Sequence, residues 1–277
     1  MIENLHDPNV PGERRELILT ALRQDGFVTI DVLSQRFGCS AQTVRRDLIA
    51  MEAAGLLKRF HGGASPAEAA ARPSYRDKRE RHTAAKQEIA AAAVALVASG
   101  ESFFLDVGTT IEALAQALRA AFDAGGLSEG RAVCAGLNAA SILAGARGLA
   151  VEILPGEVRT PDGAITGASA ALALSGLRLD HAFLGASAVD EEGAPWDFDP
   201  AKIAVKQAAI EAARDAWVLA DTSKFSRSAP RRLCRVRALR GIVLEAGPPA
   251  RAAAALEAAG CALVLPVKDR QAGRLSA

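Results

Sequence analysis

The chain has 277 residues, half of them hydrophobic and 23% charged, which is enough for a large core beside a second, smaller domain. Its formal net charge of +1 argues against a protein that coats nucleic acid indiscriminately, and favours a local binding patch. The four cysteines are widely spaced and the four histidines form no cluster, so we expect neither a disulfide framework nor a metal site.

The sequence also gives an expectation about location. The N-terminus does not resemble a signal peptide, and the longest apolar run, near residues 89–98, is too short and alanine-rich to span a membrane. Scattered thiols fit a reducing compartment. We therefore expect a cytoplasmic protein with no membrane partner.

Three short helices are predicted at the start of the chain. The first covers about 14–23 and has one apolar face. The second is capped by Thr29 and ends near Phe37. Gly38 suits the left-handed conformation at a helix end, and Ser40 caps the third helix after a tight turn. This order of elements is that of a helix-turn-helix.

The third helix has an apolar side, formed by Val44, Leu48 and Met51. Its opposite side carries amide, guanidinium and small apolar groups, from Gln42, Arg46, Ile49 and, at the margin, Thr43. In a major groove, arginine pairs with guanine, glutamine pairs with adenine, and apolar groups touch the thymine methyl. An ordinary amphipathic surface helix is the alternative, but the two helices before it favour the DNA-binding interpretation.

A short β wing is predicted after the third helix, over residues 55–64. Lys58 and Arg59 lie in it. From the end of the second helix to the wing, five basic side chains outnumber the two acidic ones, Asp47 and Glu52. This local excess of positive charge is where a phosphate backbone would lie. The candidate DNA-binding residues are Ser40, Gln42, Thr43, Arg45, Arg46, Lys58 and Arg59.

These residues resemble the signature of the DeoR family of bacterial transcriptional regulators. The matching positions are Arg14, Ile18, Leu22, Ser40-x-x-Thr43-Val44-Arg45-Arg46-Asp47-Leu48 and the wing Ala54-Gly55-Leu56-Leu57-Lys58-Arg59-Phe60-His61-Gly62-Gly63-Ala64. The resemblance implies sequence-specific binding to operator DNA. It also implies a homo-oligomer, either a dimer or a tetramer, because a two-fold protein matches a pseudo-palindromic operator.

Residues 65–82 differ in composition from what precedes them, with alanine, proline and dense alternating charge. Little in this stretch could build a core, so we interpret it as a linker that becomes helical near Thr83. The predicted domains are therefore a winged helix-turn-helix over 1–64, a linker over 65–82, and an effector-binding and oligomerisation domain over 83–277.

From residue 83 onward, helices alternate with short apolar strands. Strands are predicted near 102–106, 131–135, 150–154, 182–185, 216–220, 241–244 and 261–265. Helices are predicted near 83–98, 110–121, 138–146, 168–175, 200–214 and 249–259. This alternation predicts an α/β fold with a mostly parallel sheet covered by helices on both faces. Such sheets bind ligands at the carboxyl ends of their strands.

Two loops at strand ends have binding chemistry. Asp106-Val107-Gly108-Thr109-Thr110 opens a helix, where free amides and hydroxyls favour an anion, although threonine is also a common helix cap. Lys224, in the loop 221–225, can reach a phosphate, although an exposed lysine is an equal alternative. Lys206, on the preceding helix, is a third candidate. The candidate effector-binding residues are Asp106, Gly108, Thr109, Thr110, Lys206 and Lys224.

The C-terminal domain also resembles that of the DeoR family. The matching blocks are Phe104-Leu105-Asp106-x-Gly108-Thr109-Thr110, Asp180-x-Ala182-Phe183-Leu184-Gly185, Val205-Lys206 and Asp221-x-Ser223-Lys224-Phe225. The resemblance implies a fold similar to that of ribose-5-phosphate isomerase, and a sensor for a phosphorylated sugar, polyol or related metabolite. It further implies a repressor of a carbohydrate catabolic operon, whose affinity for its operator changes when the effector binds.

The sequence departs from the family pattern at the expected entrance of the pocket. Trp196-Asp197-Phe198-Asp199 replaces a loop that commonly contains threonine, and Lys202 is an added cation. Two interpretations stay open. The ligand differs from those usual in the family and is more anionic, or the pocket has decayed.

The alternative function is that of a sugar-phosphate isomerase with a DNA-binding appendage. Isomerisation needs a carboxylate base near C1 and C2 of the sugar and a group that stabilises the enediolate. Asp180, Asp190, Glu191 and Glu192 are available, but the sequence has no dense Asp-Gly-x-Asp-Glu block. We therefore predict no catalytic residue, no cofactor and no enzymatic activity.

Overall fold

The computed structural model describes residues 10–25, 28–60, 63–66 and 75–267. The elements of its N-terminal part are α1 Pro11–Asp25, β1 Val28–Thr29, α2 Ile30–Phe37, α3 Ala41–Ala53, β2 Leu57–Phe60 and β3 Gly63–Pro66. The strands form an antiparallel sheet in the order β1-β3-β2. The predicted helix-turn-helix and β wing are both confirmed. Two residues of the wing motif, His61 and Gly62, lie outside the described residues.

The helix boundaries follow the predicted caps. The Thr29 hydroxyl accepts a hydrogen bond from the N–H of Val32 at 3.2 Å, which starts α2. Gly38 ends α2 with a φ of 61°, in the left-handed region that favours glycine. Ser40 caps α3. The buried core of this domain is formed by Ile18, Ala21, Leu22, Val28, Leu33, Phe37, Val44, Leu48, Met51, Leu57 and Ala64.

The segment predicted to be a linker contains a helix near its end. Residues 67–74 lie outside the described residues, but α4 covers Tyr75–Glu80. Helix α5 follows over Thr83–Val94, starting where it is predicted. Helical structure therefore begins before Thr83, and Tyr75 is hydrogen-bonded to the domain that follows.

The rest of the described chain alternates strands and helices. Its strands are β4 Ser102–Leu105, β5 Gly130–Cys134, β6 Leu149–Ile153, β7 Glu157–Arg159, β8 Ala164–Thr166, β9 Leu179–Gly185, β10 Ala188–Val189, β11 Pro195–Asp197, β12 Ala213–Leu219, β13 Arg231–Arg232, β14 Gly241–Val243 and β15 Ala262–Val264. Its further helices are α6 Thr109–Asp123, α7 Leu137–Leu143, α8 Ala168–Ser175, α9 Pro200–Ala212 and α10 Ala250–Ala258. Every strand and helix predicted for this domain is present, with ends shifted by a few residues.

Seven of these strands form one sheet in the order β15-β14-β12-β9-β4-β5-β6. Every neighbouring pair in this sheet is parallel. For example, Leu105 of β4 pairs with Phe183 of β9, which pairs with Trp217 of β12. The predicted α/β fold with a mostly parallel sheet is confirmed. Since the strands run the same way, the loops that follow β4, β9 and β12 meet at one edge of the sheet.

Helices cover both faces of this sheet. Successive side chains of a strand point to opposite faces, so Phe103 and Leu105 belong to one core cluster and Phe104 to the other. The first cluster contains side chains of α5 and α6, and the second contains side chains of α8 and α9. Two-sided burial explains why the strands are almost uninterruptedly apolar in the sequence.

Two small antiparallel units are present that the sequence does not predict. They are the hairpin β7–β8 and the three-stranded sheet β10-β11-β13. Their strands have only two or three residues each, too few for a period-two pattern to emerge. Residues 196–199, expected to form a loop, begin with two residues of β11, Trp196 and Asp197.

Candidate nucleic-acid interface and effector site

The exposed side of α3 has the predicted composition. Gln42, Arg45 and Arg46 are exposed, Thr43 is half-buried, and 50% of Ile49 is exposed. The opposite side of the helix is buried in the domain core. The helix therefore offers two guanidinium groups and one amide to a groove, which are the groups that pair with guanine and adenine edges. Their contacts with DNA remain a prediction.

Ser40 has a local role at the start of α3. Its hydroxyl oxygen accepts the N–H of Thr43 at 3.2 Å and lies 2.9 Å from the Thr43 hydroxyl. Both residues are predicted DNA contacts, and the structure brings them together. The cap fixes the direction in which the chain enters α3, and the first-turn amides of a helix favour a phosphate oxygen.

Asp47 is a residue whose role the sequence does not predict. It is buried, and its two carboxylate oxygens lie 2.6 Å from Arg14 Nε and 3.1 Å from Arg15 Nε. These ion pairs join α3 to α1, so they help to fix the angle at which α3 projects. Because Asp47 is neutralised inside the domain, it does not offset the positive charge of the exposed side. The sequence signal for this role was the position of Asp47 three residues after Val44, on the apolar side of α3.

The wing is connected to α3 through Arg59. Its Nε lies 2.7 Å from Glu52 Oε2, and its backbone N–H donates to Glu52 Oε1 at 2.8 Å. The Arg59 guanidinium lowers the pKa of Glu52. Lys58 and Arg59 are both exposed. Their contact with DNA phosphates remains a prediction, and Arg59 has a second function in holding the wing against α3.

A buried ion cluster joins three loops at the carboxyl edge of the large sheet. Lys206 Nζ lies 3.0 Å from Asp106 Oδ2, 2.7 Å from Asp197 Oδ2 and 2.7 Å from the carbonyl oxygen of Gly185. Asp106 Oδ2 also accepts the N–H of Gly185 at 2.9 Å. Burial lowers the pKa of Lys206, but the two carboxylates outweigh it and raise the pKa above its usual value. Lys206 is therefore charged.

This cluster changes the interpretation of two predicted effector-binding residues. The Lys206 ammonium group has three N–H donors, which match the three oxygens around it. Asp106 is buried beside this ammonium group. Both groups are thus engaged within the protein, and their direct contact with an effector remains untested. Asp197 completes the cluster. Burial works against its ionisation, yet Lys206 lowers its pKa to about 2. Sequence reasoning missed Asp197 because β11 is too short to recognise.

The loop after β4 has the predicted geometry for an anion. Gly108 has a φ of 134°, where a side chain would strain the backbone, and it directly precedes α6. Thr109 and Thr110 form the first turn of α6 and are half-buried. The Thr109 hydroxyl donates to the carbonyl oxygen of Lys78 at 3.3 Å. The predicted turn is therefore in contact with the end of α4.

Lys224 belongs to a cluster of cations beside this turn. It is half-buried in a 3-10 helix, Thr222–Ser226, that follows β12, and its Nζ lies 3.9 Å from Asp221 Oδ2. Burial and the positive charges of neighbouring basic residues together lower the pKa of Lys224 to about 7, against the opposing effect of Asp221. We name as the cationic cluster the residues Lys78, Lys86, Lys224 and Arg227.

Helix α4 is fixed to the sensor domain by its own hydrogen bonds. The phenol of Tyr75 donates to Glu112 Oε1 and accepts from Asn138 Nδ2 at 2.8 Å. The Lys86 ammonium donates to the carbonyl oxygens of Lys78 and Arg81, the latter at 2.6 Å. Sequence reasoning could not bring Lys78 and Lys86 to this site, because their positions depend on how the chain folds back over the sheet edge.

Lys202, the added cation at the expected pocket entrance, has an acidic partner. Its ammonium is paired with Asp162 Oδ2, and both side chains are half-buried. The extra positive charge is therefore neutralised within the protein. Among the described residues, no group of His, Cys, Asp and Glu could hold a metal ion. No helix in the same ranges has the length and hydrophobicity needed to cross a membrane.

Comparison with known proteins covers nearly the whole chain. Residues 14–69 match the DeoR-like helix-turn-helix domain, and residues 81–246 match the DeoR C terminal sensor domain. The glycerol-3-phosphate regulon repressor of Haemophilus influenzae is 36% identical over 79% of this chain and 84% of its own. The glycerol-3-phosphate regulon repressor of Escherichia coli K12 is 32% identical over 86% of this chain and 92% of its own.

Among solved structures, D-ribose-5-phosphate isomerase in complex with phospho-erythronic acid aligns with 50% of this chain and 53% of its own. Its identity is 18% and the TM-score is 0.39, and no functional conclusion rests on that similarity. The two domain matches, by contrast, agree with the helix-turn-helix and with the parallel sheet that the structure contains. The chain therefore belongs to the DeoR family of bacterial transcriptional regulators.

Proposed function

We propose that this protein is a repressor of a carbohydrate catabolic operon, and that a phosphorylated sugar or polyol releases it from its operator. Two relatives that are 36% and 32% identical are repressors of the glycerol-3-phosphate regulon, which supports this class of target. A cytoplasmic location and a dimer or tetramer fit the same function, since a symmetric oligomer matches a pseudo-palindromic operator.

Within the DNA interface, α3 carries the base contacts. Gln42, Thr43 and Arg46 lie on the side of α3 that faces away from the core. Arg45 lies on the flank of the helix, where it suits a phosphate contact. Lys58 and Arg59 in the wing add phosphate contacts, and Ser40 orients the start of α3.

The effector's phosphate binds at the Gly108–Thr110 turn beside Lys224. The single observation that carries this proposal is the environment of Lys224, a half-buried ammonium group whose pKa is lowered to about 7 by burial and by the other charges of the cationic cluster. Bringing cations together in a partly dry site is unfavourable unless an anion joins them. A phosphate there would relieve that repulsion and meet the amides at the start of α6.

Asp106 and Lys206 have a supporting role in this proposal. They join the loop after β4, the end of β9 and β11 into one rigid unit through buried charge-assisted bonds. This holds the turn that contains Gly108 at the carboxyl edge of the sheet. We therefore assign them to positioning of the effector site, and the phosphate contacts to Gly108, Thr109, Thr110 and Lys224.

Effector binding reaches the DNA-binding domain through α4. The Thr109 hydroxyl that would meet the phosphate already donates to the carbonyl oxygen of Lys78 in α4. A phosphate at Thr109 competes with that bond, so bound effector and docked α4 disfavour one another. An effector changes operator affinity only by binding two states unequally, typically by about 1–3 kcal/mol.

Selection of operator DNA tests the DNA-binding part of the proposal. The full-length protein, incubated with a pool of random duplexes, is expected to enrich one pseudo-palindromic sequence. A panel of phosphate esters added to the resulting complex is expected to contain at least one that releases the DNA. Enrichment of no sequence, or a complex that no phosphorylated sugar or polyol affects, would contradict the proposal.

The isomerase alternative receives little support from its candidate bases. Asp180 Oδ2 accepts hydrogen bonds from the N–H and hydroxyl of Ser102, both at 2.9 Å, at the opposite edge of the sheet from Thr109. Asp190 Oδ2 accepts the indole N–H of Trp196 at 2.7 Å. Ribose 5-phosphate incubated with the protein is expected to remain unconverted, and sustained turnover would favour the enzyme instead.

A further inference from the structure

A cavity of about 380 Å³ lies between the small sheet β10-β11-β13 and the segment that follows Lys224. Its walls are formed by Ala188, Asp190, Trp196 and residues 227–230. The volume falls within the range of small-molecule sites, roughly 300–1,000 Å³. Most of these walls are apolar, and one of them is an aromatic ring. The phosphate site proposed above does not account for this cavity.

Trp196 is held firmly in the cavity wall. Its indole N–H donates to Asp190 Oδ2 at 2.7 Å, and Asp190 Oδ1 accepts the N–H of Ala194 at 2.8 Å. The guanidinium carbon of Arg232 lies 6.0 Å from the centre of the Trp196 ring. These contacts fix the plane of the indole before any ligand arrives. A preorganised aromatic surface is a suitable platform for the face of a ring.

Arg227 connects the cavity with the cationic cluster. It lines the cavity, and its positive charge acts on Lys224, on Lys86 and on Asp221. Its backbone N–H donates to the carbonyl oxygen of Lys224 at 3.3 Å. The guanidinium group binds phosphate in a bidentate manner better than any other side chain. A phosphate bound by Arg227 and Lys224 would therefore lie next to the part of the same ligand that fills the cavity.

The mostly apolar walls of the cavity favour a closed sugar ring over an open-chain ligand. An open-chain glycerol phosphate has too small an apolar surface to cover Trp196, whereas a closed sugar ring presents C–H groups on its face and hydroxyls at its rim.

We infer that the Trp196 cavity holds the ring of a cyclic sugar phosphate, with its phosphate paired to Arg227 beside Lys224. This inference rests on the proposed effector site and names the class of effector that the site takes. It also assigns a function to the stretch 196–199, which departs from the family pattern. The tryptophan there selects a ring-shaped ligand over an open-chain polyol phosphate.

Calorimetric titration of the full-length protein tests this specificity. The probes are glucose 6-phosphate, fructose 6-phosphate, glycerol 3-phosphate and inorganic phosphate. At least one of the two ring probes is expected to bind tenfold or more tightly than glycerol 3-phosphate. Trp196→Ala is expected to remove that advantage while leaving the binding of inorganic phosphate unchanged. Trp196→Phe keeps an aromatic face and is expected to retain most of it.

Two results separate the possible failures. Glycerol 3-phosphate binding as tightly as both ring probes, or a Trp196→Ala protein that keeps its preference for a ring probe, would overturn the role of the cavity and leave the phosphate site intact. Binding of no phosphate compound would overturn both. The melting temperature and operator binding of each variant show that it is folded, and Trp196→Phe provides the conservative comparison if Trp196→Ala is unstable.

Discussion

Arg45 and Arg46 are adjacent in the sequence, but they are expected to differ in function at the scale of single residues. Arg46→Ala should remove a base-edge contact and cost about 1–3 kcal/mol at the operator, with little loss on random DNA. Arg45→Ala should weaken binding to all sequences alike. It should also reduce the slope of log affinity against log salt concentration by about one, the contribution of one phosphate contact. Titrations against operator and random duplexes at several salt concentrations measure both. An equal loss on the two DNAs for Arg46→Ala would contradict its assignment to base contact.

We expect Lys224 to make effector binding dependent on pH. Its pKa of about 7 means that the ammonium group loses its proton as pH rises through neutrality, and only the charged form attracts phosphate. Affinity for glucose 6-phosphate should therefore fall by about fivefold between pH 7 and pH 8, where the phosphate itself stays mainly dianionic. Lys224→Arg, whose charge does not titrate in this range, is the control and should show a flat profile. The same fall in that variant would assign the titration to another group.

At the scale of elements, the angle between α1 and α3 depends on a buried ion pair. Asp47→Ala removes the carboxylate that neutralises Arg14, and removing one partner of a buried pair typically costs about 3 kcal/mol or more. Denaturant unfolding of the variant should show a much less stable DNA-binding domain. Glu52→Gln breaks the exposed pair with Arg59 and should change stability little. Equal stability of the two variants would contradict the anchoring role of Asp47.

Helix α4 should transmit the effector signal without binding the effector itself. Tyr75→Phe removes the hydroxyl that bonds to Glu112 and Asn138. Because α4 is then docked less firmly, the variant should bind the effector more tightly than the wild-type protein does, and the effector should release less operator DNA. Parallel calorimetry and DNA titrations measure the two quantities. A full response in Tyr75→Phe would show that this anchor is not needed for coupling.

The elements differ in how far the sequence predicts them. Local signals were sufficient for the caps Thr29, Gly38 and Ser40, and the long apolar runs were sufficient for the parallel sheet. Pairing between distant residues was not predictable. The bonds of Lys206 to Asp197 depend on a strand of three residues, and the cationic cluster depends on a chain segment that folds back over the sheet. The candidate effector-binding residues were therefore identified by their positions at strand ends, but their contacts within the protein were not predicted.

For the whole molecule, operator release depends on coupling between two domains. The effector turn and α4 share the Thr109–Lys78 hydrogen bond, and α4 is the last described helix before the sensor domain begins. Bound effector and docked α4 therefore disfavour one another, and by thermodynamic linkage operator DNA should weaken effector binding by the same factor that the effector weakens operator binding. Calorimetry with and without operator DNA measures this factor. An effector affinity that is the same with and without operator DNA would contradict the proposed coupling.

The most direct measurement is operator binding by full-length variants, with and without the phosphate ester that releases the wild-type protein. Wild-type protein should lose about 5–150-fold in operator affinity when the effector saturates it, the range of typical coupling energies. Lys224→Ala should bind the operator normally and no longer respond. Thr109→Val also loses the bond to Lys78, so it should bind the operator less tightly and no longer respond. Arg131→Ala, at the opposite edge of the sheet, should respond as the wild type does. Release of Lys224→Ala or Thr109→Val at the wild-type effector concentration would contradict the proposed phosphate site.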